Sequence, residues 1–264
     1  MTKNKAPQPM TTAQTDHSKN GYAPVNGLKM YYEIHGAGEP LVMLHGGMST
    51  IGTFYRILPT LAKNRQIIAM EQQGHGHTAD IDRPFSFDQM ADDTATLLQQ
   101  LGINKADVFG YSDGGMVALA LTIRHPQLIC KLAISSAVYN MDGYYPEIKE
   151  ALPHMSADAL PAPMREAYEA AAPQPENWPK LVAKAATQAQ DFNGFPPEAI
   201  QAIEVPALVL VAGSDIIRLE HTTELAHLLH TEPVILPNSD HVSYLLDHPE
   251  ALLSELTAFL SMPI

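Results

Sequence analysis

Val108-Phe109-Gly110-Tyr111-Ser112-Asp113-Gly114-Gly115-Met116-Val117-Ala118 is the stretch on which the fold turns. Residues 107–109 read as a short strand, 114–124 as a helix, and between them lies G-x-S-x-G. A strand that turns abruptly into a helix forces the residue at its apex into a strained backbone conformation. Glycines two before and two after the apex relieve the crowding that side chains would cause. The Ser112 hydroxyl is then expected to project from the carboxyl edge of a sheet, where open α/β sheets bind ligands. The amide of Asp113, at the helix start, points toward the same edge. G-x-S-x-G also occurs in ordinary loops, so the flanking strand and helix carry the reading.

Outward from this turn, strand-like and helix-like segments alternate, which favours an α/β sheet over separate all-α and all-β pieces. Asn26-Gly27 between strand-like runs at 22–25 and 28–34 signals a hairpin. Further strands are expected at 41–44, 66–70, 128–135, 207–211 and 233–236, with helices at 54–63, 220–229 and 250–260. Ser86-Phe87-Asp88-Gln89 has capping-box spacing and opens a helix that stops near Gly102. From 137 to 203 the alternation fails. Helical pieces at 165–172 and 180–190 are punctuated by Pro153, Pro161, Pro163, Pro173, Pro175 and Pro179, and no convincing strand appears. The expected organisation is a mostly parallel central sheet flanked by helices: a core domain at 21–136 and 204–264, a helical cap insertion at 137–203, and a flexible tail at 1–20.

Composition excludes several classes. Twenty-nine acidic residues against sixteen basic ones, with no basic run, argue against nucleic-acid binding, which depends on clustered Lys and Arg. No apolar stretch approaches the ~18 residues of a bilayer span, and the polar N-terminus lacks a signal-peptide core. The single cysteine, Cys130, excludes an intramolecular disulfide and, in an apolar run, is expected to be a buried structural thiol. A soluble, cytoplasmic protein is expected, with self-association left open.

From about Tyr22 to the C-terminus the chain resembles the α/β-hydrolase fold superfamily. The matching pieces are His45-Gly46-Gly47 and Gly74-His75-Gly76 after successive strands, the Gly110–Gly115 turn, Gly213-Ser214-Asp215 after a late strand, and Asp240-His241 after the last. The resemblance implies Ser112 as nucleophile and His241 as general base, since a serine hydroxyl needs a neighbouring base to take its proton. Asp215 is expected to hold the imidazole in one tautomer and balance its charge. The order Ser112, Asp215, His241 is the one this fold uses. Asp240 is a rival, but adjacent side chains diverge; Glu220 falls in the following helix. The resemblance also implies an oxyanion hole from the backbone amides of Gly47 and Asp113, with Met48 an alternative to Gly47, while His45 braces the loop.

His75, His77 and Asp80 could suggest zinc, but the stretch 71–78 matches a turn of the superfamily. Glu71, Gln73 and Thr78 stand there where the family usually has Asp, Arg and Ser, a departure expected to affect the pocket floor. No metal and no cofactor is expected. Relatives that open epoxides or carbon–halogen bonds use aspartate at the apex, so serine fits acyl transfer. Met48, Tyr139, Tyr144, Trp178 and Phe192 are the candidate pocket residues. The leading expectation is hydrolysis of a small or medium carboxylic ester or lactone through an acyl-serine. The alternatives are carbon–carbon bond hydrolysis or cofactor-free peracid formation on the same triad, or a slow-turnover binding protein.

Overall fold

The computed structural model describes residues 18–263. Eight strands form one sheet: β1 (Lys19–Val25), β2 (Leu28–His35), β3 (Glu39–Leu44), β4 (Arg65–Met70), β5 (Ala106–Tyr111), β6 (Ile129–Ser135), β7 (Ala207–Ser214) and β8 (Pro233–Asp240). Their order is β1-β2-β4-β3-β5-β6-β7-β8. The β1/β2 and β2/β4 pairs are antiparallel and every other pair is parallel. Asn26 and Gly27 both adopt positive φ (45° and 89°), as a two-residue hairpin loop requires, and set Val25 opposite Leu28.

The helices are α1 (Leu58–Leu61), α2 (Phe87–Gln100), α3 (Asp113–Arg124), α4 (Pro146–Ala151), α5 (Ala162–Ala171), α6 (Trp178–Asp191), α7 (Pro197–Gln201), α8 (Leu219–Leu228), α9 (Ser243–Leu246) and α10 (Glu250–Ser261). The strands sort them onto two faces by their period of two. Val42 and Leu44 of β3, with Ile68 and Val108, join the core under α2, α3 and α8. Leu41 and Met43, with Ile67 and Phe109, join the opposite core under α1, α9 and α10. Burial on both faces explains why the central strands are continuous apolar runs. Each fully buried side chain of this size stabilises by ~1.5–3 kcal/mol.

Three expectations need correction. The helix expected at 54–63 is a 3-10 turn (Ile51–Phe54) followed by the single turn of α1. Pro59 has no N–H to give the carbonyl of residue 55, so no continuous helix can run through it. The first strand begins at Lys19, inside the expected tail, with Lys19 and Asn20 paired to Ile34 and Glu33; their polarity concealed this. The rest of the tail, residues 1–17, lies outside the described residues. Cys130 is only half-buried, at the start of β6 near Lys105, Asp107 and Glu39.

Residues 137–203 contain α4 to α7 and contribute no strand to the sheet. One bridge, Tyr144 to Ile217, links this segment to the loop after β7. A second attachment is ionic. Lys184 on α6 donates to Asp80 Oδ1 at 2.6 Å and to the carbonyls of Ile81 and Arg83 at 2.8 Å, and Lys180 lies 2.6 Å from Asp80 Oδ2. Arg83 in turn pairs with fully buried Asp93 of α2 at 2.5 Å. Among the described residues, no helix is long and apolar enough to cross a membrane.

Candidate active site

Ser112 sits at the apex between β5 and α3 with φ 54° and ψ −124°. The glycines around it are sterically required. A Cβ on Gly110 would lie 2.2 Å from the Gly114 carbonyl oxygen, and one on Gly114 would lie 2.0 Å from that of Leu44. The Ser112 amide donates to the Ser135 carbonyl at 2.9 Å, and its own carbonyl accepts from Gly115 at 2.8 Å to start the helix.

The loop after β8 carries His241 to this apex. Its Nε2 lies 3.1 Å from Ser112 Oγ, and its Nδ1 lies 2.7 Å from Asp215 Oδ1. A carboxylate only accepts, so Nδ1 bears the proton and Nε2 is left to accept from the serine hydroxyl. Tyr111 OH donates to the His241 carbonyl at 2.9 Å, which fixes the loop over Ser112. Asp215 also accepts from the amides of Ile217 and Ala212 and from Ser136 Oγ. Burial pushes its carboxyl upward, but His241, Ser136 and the Ala212 amide outweigh burial and hold it below the usual carboxylate range. Asp240 is turned away. Its Oδ1 accepts from the amides of Val242 and Ser243 at 2.9 Å, capping the next turn.

Facing the apex is the loop after β3, held by two buried histidines. His45 donates from Nδ1 to the Gly46 carbonyl (2.8 Å) and accepts at Nε2 from the Gln72 amide (3.1 Å). His75 donates from Nδ1 to the Gln73 carbonyl (2.9 Å) and accepts at Nε2 from the Met48 amide (3.0 Å). Each ring meets a carbonyl at one nitrogen and an N–H at the other, so only the neutral form fits. Burial accordingly depresses both to about 4. The Met48 amide is thus occupied by His75 and is not free to face the apex. The Asp113 amide belongs to the first turn of α3, where helix N–H groups have no intrahelical acceptor. The Asp113 carboxylate lies against Gly47, since a Cβ there would meet its Oδ2 at 2.3 Å. Burial raises this carboxyl to about 6, despite the opposing influence of His241.

Ser112 and His241 open into a cavity of about 700 Å³ between the sheet edge and residues 137–203. Its walls include Met48, Met116, Met141, Met155, Met164 and Phe192, and among the described residues no Lys or Arg lines it. Such a volume takes a small organic molecule, and unbranched methionines adapt to its shape.

A model of the alpha/beta hydrolase family matches residues 41–255. The chain belongs to that family. It is 36% identical over 112 residues to a 2-hydroxymuconate semialdehyde hydrolase from Pseudomonas sp. (strain CF600), covering 41% of this chain and 40% of that protein. It is 34% identical over 119 residues to the Homo sapiens serine hydrolase BPHL, covering 43% and 41%. These alignments thus span about two fifths of each relative. The solved structure of Est816, described as an N-acyl homoserine lactone degrading enzyme, superposes with TM-score 0.73 at 25% identity, covering 91% of this chain and all of that one.

Within this α/β hydrolase, three expected pocket residues, Met48, Tyr144 and Phe192, line the cavity; Tyr139 and Trp178 do not. Tyr139 is stacked on His221 with ring centroids 4.4 Å apart, and Trp178 is buried against Tyr168 with its indole N–H donated to the Ala157 carbonyl. Both serve packing, which draws on the same aromatic residues as a pocket does. Glu71, Gln73 and Thr78 brace their loop and do not reach the floor. Glu71 accepts from the His77 amide, Gln73 from Arg83 Nε, and Thr78 Oγ1 accepts from the Tyr31 amide. Among the described residues, no group of three His, Cys, Asp or Glu is arranged to hold a metal ion. Sequence reasoning missed Met116, Met164, Ile216 and Phe87 as lining, and Ser136 and Tyr244 behind Asp215. The Ser135-Ser136 pair at a strand end was the one available signal.

Proposed function

We propose that this hydrolase cleaves neutral, apolar carboxylic esters or lactones through an acyl-Ser112 intermediate, and the observation that carries it is the contiguous Ser112–His241–Asp215 hydrogen-bond chain at the floor of the cavity. Ser112 Oγ adds to the carbonyl carbon while its proton passes to His241 Nε2. The oxyanion is received by the Gly47 and Asp113 amides, each worth about 3 kcal/mol of transition-state stabilisation. Collapse expels the alkoxide, which takes the proton back from His241, and water repeats the sequence to release the acid. Asp215 orients the imidazole and offsets its positive charge. Residues 137–203 act as a cap that supplies the apolar wall.

The match to the semialdehyde hydrolase supports a second reading, carbon–carbon bond hydrolysis on the same three side chains. The lining favours the ester. It offers no Lys or Arg to hold a substrate carboxylate, and Asp113 adds negative charge beside the nucleophile.

A chain-length series of aryl esters, run on wild type and Ser112→Ala, tests the reading. We expect kcat/KM to fall by about 10⁴-fold or more in the variant, and mass spectrometry to find one fluorophosphonate adduct, on Ser112. Full activity of Ser112→Ala, or an adduct elsewhere, would overturn the assignment. Turnover of a vinylogous diketone with no ester turnover would favour the second reading.

A further inference from the structure

The dipeptide Ser135-Ser136, at the end of β6, touches both ends of the proposed triad. The Ser135 carbonyl accepts from the Ser112 amide at 2.9 Å, and Ser136 Oγ donates to Asp215 Oδ2 at 2.5 Å. Behind them runs a line of buried hydroxyls. Ser135 Oγ donates to Tyr244 OH at 2.7 Å, and Tyr244 OH donates to Ser136 Oγ at 2.8 Å. None of the three side chains is more than about 1% exposed. Each of the last two hydroxyls accepts one bond and donates the next, all in the direction of the carboxylate, so each polarises the one after it.

The backbone at this point is strained for a purpose. Ser136 adopts φ 50°, a region that side-chain-bearing residues adopt only where the surroundings hold them. Its amide donates to the Leu210 carbonyl on β7 at 2.9 Å, which holds it in that conformation. The consequence of the turn is that the hydroxyl faces Asp215. Glycine would adopt the same φ without strain but would leave Oδ2 with only the Ala212 amide at 3.2 Å. Tyr244 comes from α9, directly after His241, so the relay also ties the His241 loop to the acid from behind.

We propose that Ser136 and Tyr244 are positioning residues for the reaction, a hydroxyl relay that fixes the rotamer of Asp215 and shares its negative charge. This rests on the triad reading given above. The relay spreads the carboxylate's charge over Oδ2 while Oδ1 faces the imidazole. Without the Ser136 hydroxyl, the carboxylate attracts the imidazolium more strongly and holds its rotamer less firmly. His241 should then gain its proton at a higher pH, and fewer molecules at any instant should have Nε2 aimed at Ser112.

The test compares wild type with Ser136→Ala, Ser136→Gly and Tyr244→Phe, each normalised by titrating active sites with fluorophosphonate. The His241 imidazole is followed by NMR in histidine-labelled protein, a readout that needs no turnover. We expect kcat to fall about tenfold in the two Ser136 variants. The acid limb of kcat/KM and the His241 titration should both move up by about half to one pH unit, and Tyr244→Phe should move them the same way by less. Ser136→Gly, with the backbone strain removed, separates the hydroxyl from folding: if it matches wild type in kcat and in the His241 titration, the relay is overturned. If wild-type Ser112 takes no label while the His241 titration still shifts, the triad reading fails and the hydrogen-bond relay survives. If Ser112 is labelled and nothing shifts, the reverse holds.

Discussion

Asp113 places a carboxyl group beside Gly47, where the proposed oxyanion would form, and among the described residues no Lys or Arg lines the cavity beside it. Burial raises its pKa to about 6, so at neutral pH the folded protein holds a charge that the unfolded chain carries more easily. The sign follows from linkage. Below the ordinary carboxylate range both states are protonated and nothing is lost; as pH rises through about 6 the native state alone is penalised. Some solvent still reaches the group, so the penalty is discounted to about 1–2 kcal/mol. Asp113→Asn should therefore raise Tm by a few degrees at pH 8 and leave it unchanged near pH 4, as scanning calorimetry at the two pH values would show. An equal gain at both would remove ionisation as the cause. The position of Asp113 directly after Ser112 was legible in the sequence. The burial of its side chain against Gly47 was not, because it depends on the β3 loop 66 residues earlier in the chain.

At the scale of elements, α6 is the piece of 137–203 that locks the cavity wall to the core. Lys184 serves three acceptors around Asp80, and Asp80 is nearly enclosed. Removing the ammonium leaves the carboxylate to Lys180 and Gln73 Nε2 and the two carbonyls to Gln73 Nε2 alone, a loss of about 1–3 kcal/mol. Lys184→Met keeps the aliphatic stem, and we expect a lower Tm together with a higher KM for apolar esters, while Ser112 labelling by a small fluorophosphonate stays fast. Unchanged KM would mean that the wall does not depend on this tie. The helices α5 and α6 could be read from their spacing between prolines, as could the capped start of α2, where Ser86 Oγ accepts from the Gln89 amide. The ionic tie could not, because Asp80 and Lys184 are 104 positions apart and each alone looks like a solvated surface charge. Pro59, which divides the expected helix at 54–63, was in plain view. Its effect is masked by the surrounding leucines, which keep a helical period.

For the molecule as a whole, the buried histidines decide the response to acid. Burial lowers His45, His75 and His221 to about 4, and each accepts a backbone N–H at Nε2, from Gln72, Met48 and Tyr139. The unfolded chain takes up protons at these sites near pH 6.5 and the native chain does not, so stability is lost as pH falls through that value toward 4. Between pH 7 and 5 each costs about 2 kcal/mol, about 6 kcal/mol together, against about 1 kcal/mol returned by Asp113. The histidines win. Chemical denaturation at pH 7 and pH 5 should show a fall of several kcal/mol, reduced in His221→Gln; equal stability at the two pH values would mean these rings are not held neutral.

Local order was within reach of the sequence alone: the eight strands, their alternation with helices and the glycine-flanked apex at Ser112 follow from periodicity and steric demand, which need no knowledge of distant contacts, while the succession serine, aspartate, histidine was implied by the resemblance to the α/β-hydrolase superfamily. Only the tertiary structure decided which side chains share a space. It took Met48's amide for His75, sent Tyr139 and Trp178 into packing, lined the cavity with methionines, and set Ser136 and Tyr244 behind Asp215. Those outcomes depend on residues far apart in the chain, 109 positions in the case of Ser135 and Tyr244, meeting at one sheet edge. A residue's own neighbours in the chain carry no record of that meeting.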